Sequence, residues 1–260
     1  SSSGITTVEN NATIYVEGNI NMEQNSLFKN SGDIRLTKNW VNNSSSGGFD
    51  QSILYGNVHF IGGNQLIDGT SSTNFYNVHL YGDYTIKECM LNTFIEGRLH
   101  LNNSELQTHQ NIVSITNPNS NAITFERGYV ASDLLGGYLM RKTNSINDYY
   151  FPTGNSIVDF YKRLRPVTIT PANNSENYFA VRLAPLNVNN DIGTSITGAI
   201  APYPVQQKQA ELNDFNTLFY HNIARVRGNS PANIDIWYEE DDGEYNTVAH
   251  WDNQEIWIDV

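Results

Sequence analysis

The stretch Tyr15-Val-Glu-Gly18-Asn-Ile-Asn-Met22 decides how this chain folds, because four later stretches rewrite it. They are Lys29-Asn-Ser-Gly32-Asp-Ile-Arg-Leu36, Ile53-Leu-Tyr-Gly56-Asn-Val-His-Phe60, His79-Leu-Tyr-Gly82-Asp-Tyr-Thr-Ile86 and Phe94-Ile-Glu-Gly97-Arg-Leu-His-Leu101. Each runs glycine, polar, apolar, polar, apolar. Alternation at period two turns one set of side chains inward and the other toward water, the mark of a half-buried strand. The glycine before it suits a corner between strands. The expected inward pairs are Ile20/Met22, Ile34/Leu36, Val58/Phe60, Tyr84/Ile86 and Leu99/Leu101. Between them, Asn21, Arg35, His59, Thr85 and His100 face out. The spacing of the glycines is irregular while the motif is constant, which fits a coil whose rungs carry loops of variable length. A single such strand cannot bury its apolar side, but stacked neighbours can. Residues 5–115 therefore read as a short β-solenoid of parallel β-helix type. A stack of antiparallel hairpins is the alternative, since periodicity does not fix strand direction.

The rest of the composition agrees with an all-β chain. Charged residues make up 16% of the 260, and the formal net charge is −12. No basic cluster is present, so phosphate-backbone binding is not expected. Helical periodicity is nearly absent; only Pro204–Leu218 could hold a turn or two. The lone Cys89 rules out an internal disulfide and a cysteine zinc cage. No apolar run reaches the ~18 residues that a membrane helix needs. The Ser1-Ser-Ser-Gly4 start reads as a mature end left after processing. The strand pattern Glu255-Ile-Trp-Ile-Asp-Val260 reads as the cut end of a longer chain.

The polar cluster Thr116-Asn-Pro-Asn-Ser-Asn121 is the clearest boundary signal. It divides the chain into a solenoid domain, 1–125, and a second domain, 126–260. In the second, Tyr178–Leu183, Leu218–Arg227, Ile234–Tyr238, Tyr245–Trp251 and Gln254–Asp259 read as strands. Turn chemistry such as Asp241-Asp-Gly-Glu244 joins them, which suggests an antiparallel β-sandwich.

The second half also carries a resemblance. Gly128-Tyr-Val-Ala-Ser-Asp133, Gly137-Tyr-Leu-Met-Arg141, Tyr150-Phe-Pro-Thr-Gly154 and Leu164-Arg-Pro-Val-Thr-Ile-Thr-Pro171 follow one another. Ile234-Asp-Ile-Trp-Tyr238, Asp242-Gly243 and Ala249-His-Trp251 come after them. This set resembles large secreted proteins of Bacteroidota exported by the type IX secretion system, of the kind with a gliding-motility-associated sorting domain. The resemblance implies an extracellular or cell-surface, outer-membrane-associated location. It also implies partners in the outer-membrane secretion machinery, a translocon or an associated barrel protein. No sorting domain is recognisable in these residues.

The candidate chemistry is sparse. His59 and His100 share the outward slot, and His79 falls in the related Asn77-Val-His-Leu80. Imidazoles in a column can bind metal. The same slot holds Asn21, Arg35 and Thr85, so a solvent-facing polar ladder is the plainer reading and no metal site is assigned there. Glu239, Glu240, Asp241, Asp242 and Glu244 crowd one glycine and are the candidate calcium ligands, although the helix-loop-helix spacing is missing. Glu17 and Glu96 hold equivalent repeat positions and could stack, but neither has a second carboxylate as partner for glycoside cleavage. Trp237, Tyr238, Tyr245 and Trp251 are the candidate binding residues, as exposed rings can stack on sugars or anchor a protein. The expectation is a non-enzymatic secreted structural or adhesive module. One alternative is an accessory subunit of an outer-membrane complex. Another is a polysaccharide-binding or polysaccharide-degrading β-helix. Its ligand would be a surface polysaccharide or protein, with no nucleic acid.

Overall fold

The computed structural model describes residues 6–44, 48–50, 55–132, 134, 136–156, 163–191, 196, 203–239, 242, 247–251 and 257–259. The chain winds about seven turns of a parallel β-solenoid, each turn made of three short strands. The first turn is Thr6–Asn10 (β1), Thr13–Val16 (β2) and Ile20–Met22 (β3). The second is Ser26–Asn30 (β4), Asp33–Leu36 (β5) and Trp40–Asn42 (β6); the third is Phe49–Asp50 (β7), Asn57–Phe60 (β8) and Gln65–Gly69 (β9). Thr73–Phe75 (β10), Asn77–Leu80 (β11) and Ile86–Cys89 (β12) follow, then Thr93–Ile95 (β13), Leu99–His100 (β14) and Glu105–Gln107 (β15). The last two are Ile112–Ile115 (β16), Ile123–Thr124 (β17), Tyr129–Ala131 (β18), and Tyr138–Thr143 (β19), Tyr149–Phe151 (β20), Thr153–Asn155 (β21).

The first strands of the turns stack on one face as β1-β4-β7 and β10-β13-β16-β19. The second strands stack as β2-β5-β8-β11-β14-β17, and the third as β3-β6-β9-β12-β15-β18-β21. Every ladder within the coil is parallel, so the hairpin alternative is excluded. The alternating pattern explains the coil: Ile34, Leu36, Val58, Phe60, Leu99 and Leu101 are all fully buried. Each such side chain contributes about 1.5–3 kcal/mol by leaving water. Trp40, Phe49 and Phe75 fill the interior with ring centroids 4.5–5.7 Å apart. The Trp40 indole N–H donates to the Thr73 hydroxyl at 3.2 Å. Gly32 is needed at its corner, since a Cβ there would lie 2.0 Å from the Ala12 carbonyl oxygen.

Two expectations about the repeat need correction. The Gly18 and Gly82 copies do not lie on the same face as the Gly32, Gly56 and Gly97 copies. Ile20–Met22 pairs with Trp40–Asn42 on the third face, whereas Asp33, Asn57 and Asn77 align on the second. Gly82-Asp-Tyr-Thr is a turn; Tyr84 has φ +59° and is 56% exposed, so it is not an inward residue. The inward residues of that strand are Lys87 and Cys89. Glu17 and Glu96 consequently sit at different corners and do not stack. The common local pattern of the two faces, strand after a glycine corner, is what made the copies look equivalent.

Beyond residue 125 the coil continues without a break in its ladders, since β14 pairs β17 and β15 pairs β18. After β21 the chain reverses. Arg163–Leu164 (β22) runs antiparallel to β21, Val167–Pro171 (β23) to β20, and Asn177–Ala184 (β24) to β19. These strands visit the three faces in the opposite order. Tyr220–Arg227 (β25) then adds to β24, and Ala232–Ile236 (β26) to β23, again antiparallel. The antiparallel strands expected after 126 are thus present, but β22 extends the coil's third face, β24 and β25 its first, and β23 and β26 form a separate sheet with β20. One hydrophobic core runs from Met22 through Tyr149, Phe151 and Ile169 to Val181. A smaller cluster joins Val188 and Leu212 with Phe215, Tyr220, Ala249 and Trp251. Ala249–Trp251 (β27) pairs with Trp257–Asp259 (β28). Among the described residues no α-helix occurs; 3-10 turns lie at Ser120–Ala122 and Val188–Asn190, and Pro204–Leu218 is loop with short turns and bends.

Candidate binding face

The outward side of the second face carries two side-chain columns. In one, Asp33, Asn57 and Asn77 are aligned by the register of β5, β8 and β11. Their amides interlock: Asn57 Nδ2 donates to Asp33 Oδ1 at 2.7 Å and Asn77 Nδ2 to Asn57 Oδ1 at 2.9 Å. The Arg98 backbone N–H then donates to Asn77 Oδ1 at 2.8 Å. The parallel, in-register ladder makes this possible because identical side chains recur one rung apart. The other column is Tyr15, Arg35, His59, His79, His100 and Thr124.

The three imidazoles stack face to face. His59 and His79 have ring centroids 4.4 Å apart at 16°, and His79 and His100 are 4.2 Å apart at 9°. Face-to-face stacking lays the rings plane on plane, so nitrogens within those planes do not converge on a shared point as chelation needs. It also favours neutral rings. Burial pushes the His79 pKa down to about 4, with His100 and His59 adding to the effect. His59 and His100 are lowered too, His59 by burial against the opposing pull of Asp33, His100 by burial and by Arg98. Burial tends to raise the Asp33 pKa, but hydrogen bonds from Asn57 and His59 outweigh it and hold the carboxyl below its usual value. His59 Nε2 lies 3.4 Å from Asp33 Oδ1, which makes it the protonated nitrogen; Nδ1 is buried and has no hydrogen-bond partner. Thr124 Oγ1 contacts His100 Nδ1 at 2.7 Å. Tyrosines flank the columns: Tyr81 stacks on His59 at 5.8 Å, and Tyr55 packs edge-on to Tyr76 at 4.8 Å.

The residues singled out near the C-terminal end are dispersed. Trp237 and Tyr238 follow β26 and are 57% and 56% exposed. Trp251 is half-buried, with its ring 5.6 Å from that of Tyr203. Tyr245, Glu240, Asp241 and Glu244 lie outside the described residues. Glu239 is exposed, but Asp242 is buried. Both Asp242 oxygens accept from Arg165, one of them from Nη2 at 2.7 Å, and the Glu239 N–H adds a further bond. Asp242 is thereby committed to a protein cation. Tyr238 and His221 line a cleft of about 320 Å³ with Leu212, Phe215 and Phe219. Burial holds the His221 pKa down at about 4.

The fold and this face define a parallel β-solenoid with an ordered polar track on one side. No protein-family model, curated protein or solved structure matches the chain. The signal for the track was present in the sequence as Asp33-Ile-Arg-Leu36, Asn57-Val-His-Phe60, Asn77-Val-His-Leu80 and Arg98-Leu-His-Leu101. Anchoring the repeat on glycine rather than on this tetrapeptide left Asn77-Val-His-Leu80 as a related segment instead of a full rung.

Proposed function

We propose that the protein is a non-enzymatic, secreted cell-surface module, structural and adhesive, whose outward second face makes the contact. The observation that carries this reading is the doubly interlocked track. Amides bonded rung to rung and imidazoles stacked rung to rung hold a row of donors and acceptors in fixed positions. Preorganisation of that kind lowers the entropic cost of binding. The stack of parallel rungs supplies the rigidity of a spacer. An address outside the cell, reached through the type IX secretion system, rests on the resemblance of the 128–171 segment. A two-layered sandwich in the C-terminal part is proposed from Ala249 and Trp251, which with Tyr220 pack against the cluster of Val188 and Leu212.

A second reading is an accessory subunit of an outer-membrane complex. Exposed Val226, Ile234, Trp237 and Tyr238 gather on and beside the edge strands β25 and β26, which suits a protein partner. A pull-down from native outer membranes, analysed by mass spectrometry, separates the two. Background alone, together with binding to surface glycans on an array, is the result expected of an adhesive module. Stoichiometric recovery of a barrel or translocon protein would overturn it in favour of the subunit.

A further inference from the structure

We infer that the outward second face is a track for a linear anionic polysaccharide lying along the coil axis, with Arg35 and Arg98 taking its acidic groups and the histidine edges its hydroxyls. This inference rests on the adhesive-module reading and adds the ligand class. The charge distribution argues for it. The chain carries a net charge of −12, so most of its surface repels a polyanion. Elsewhere on the coil, Lys29 is paired with Glu9 and Lys87 is buried on backbone carbonyls, while Lys38 and Arg127 are exposed at corners between the second and third faces. Arg35 and Arg98 are exposed, and neither guanidinium has a hydrogen bond or ion pair among the described residues. Arg35 is in the histidine column, one rung from His59; Arg98 lies two residues before His100 in the chain. They stand three rungs apart, about 14 Å at the spacing of parallel strands. The carboxylate on the track, Asp33, is tied up by Asn57 and His59.

The rows between the two arginines are uncharged and polar, which suits hydroxyls that both give and accept hydrogen bonds. His59 supplies an independent pointer. The residue is 6% exposed, and its unpartnered Nδ1 is a buried acceptor without a donor. Tyr81, stacked on that ring, is 38% exposed and can turn outward to admit a sugar hydroxyl. Exposed Tyr15 and Tyr55 offer apolar ring faces to sugar C–H groups alongside.

The test is binding of the full chain to polygalacturonate and heparin at neutral pH, with dextran as the neutral polymer and single-stranded DNA as the polyanion control. At least one acidic polysaccharide should bind, and dextran and DNA should bind about tenfold more weakly or less. The double variant Arg35→Gln/Arg98→Gln should lose about tenfold or more in affinity with an unchanged thermal midpoint, because both side chains are exposed. Failure of both acidic polymers to bind, equal binding of dextran or DNA, or full affinity in the double variant would overturn the inference. Surface glycan binding that survives in the double variant but is lost in Trp237→Ala/Tyr238→Ala would also overturn it, while leaving the module reading intact.

Discussion

At the residue scale, the specific motifs of the second half turn out to hold the coil's reversal. Arg165, from the Leu164-Arg-Pro segment, is 3% exposed and forms a two-pronged pair with buried Asp242 from the Asp242-Gly243 segment. Arg141, fully buried, donates to the backbone carbonyls of Tyr150, Asn119 and Ser120 at 2.6, 3.1 and 3.0 Å. Neither role was legible in the sequence, because the partners are far apart and one kind is backbone. Asp242→Asn should cost about 3 kcal/mol in urea unfolding, since the buried guanidinium loses its two-pronged partner while the exposed Glu239 carboxylate, 3.4 Å away, stays. A loss under about 1 kcal/mol would mean that the pair is solvated. Lys87 was hidden by the same logic: a lysine in a strand reads as outward, yet it is fully buried. Its ammonium donates to the Gly62 carbonyl at 2.8 Å and to that of Gly63, and burial pushes its pKa down to about 8. Gln65 does the same one turn earlier, donating to the carbonyls of Leu36 and Lys38 at 3.1 and 2.6 Å. Lys87→Gln should therefore be tolerated within about 1 kcal/mol, and Lys87→Leu should cost about 2 kcal/mol or more by leaving two carbonyls bare; equal costs in denaturation would contradict this capping role.

At the element scale, the second face makes stability depend on pH. The folded state lowers the histidine pKa values, so below 6.5 the unfolded chain binds more protons than the folded one. Stability from the column is complete above 6.5 and is lost as pH falls toward about 4, where His79 itself protonates. Arg35 and Arg98 reinforce the trend; Asp33, close to His59, opposes it. Stability should drop across that window by on the order of 1 kcal/mol, after allowance for solvent screening at the partly exposed His79 and His100 rings. His79→Gln should flatten the slope. An unchanged slope in the variant would place the pH dependence elsewhere. Strand existence and inward facing were readable from period-two alternation at Ile34/Leu36 and Val58/Phe60. The assignment of each copy to a face was not, because all glycine corners look alike until the ladders pair.

At the scale of the whole molecule, one core crosses the expected boundary at 125/126. The cluster Thr116-Asn-Pro-Asn-Ser-Asn121 is a polar corner: Pro118 accepts a hydrogen bond from the Tyr149 hydroxyl at 2.8 Å, and Asn119 and Ser120 hold Arg141. A turn-rich stretch in a solenoid has the composition of a linker, which is why the sequence suggested a domain break there. A fragment ending at 125 would bare the sides of β15 and β16 that β18 and β19 cover. It should give a broad, non-cooperative urea transition, whereas tryptophan fluorescence and far-UV circular dichroism of the full chain should coincide. A cooperative fragment as stable as the whole would separate the halves.

The parallel in-register coil and its histidine column are tested most directly by an NMR pH titration of the imidazole rings, assigned with single His→Gln variants. His59, His79 and His100 should all titrate below 6.5, with His79 near 4, and removing His59 or His100 should shift His79 upward. Three independent titrations at about 6.5, indifferent to one another's removal, would show that the rings do not stack and that the register is wrong.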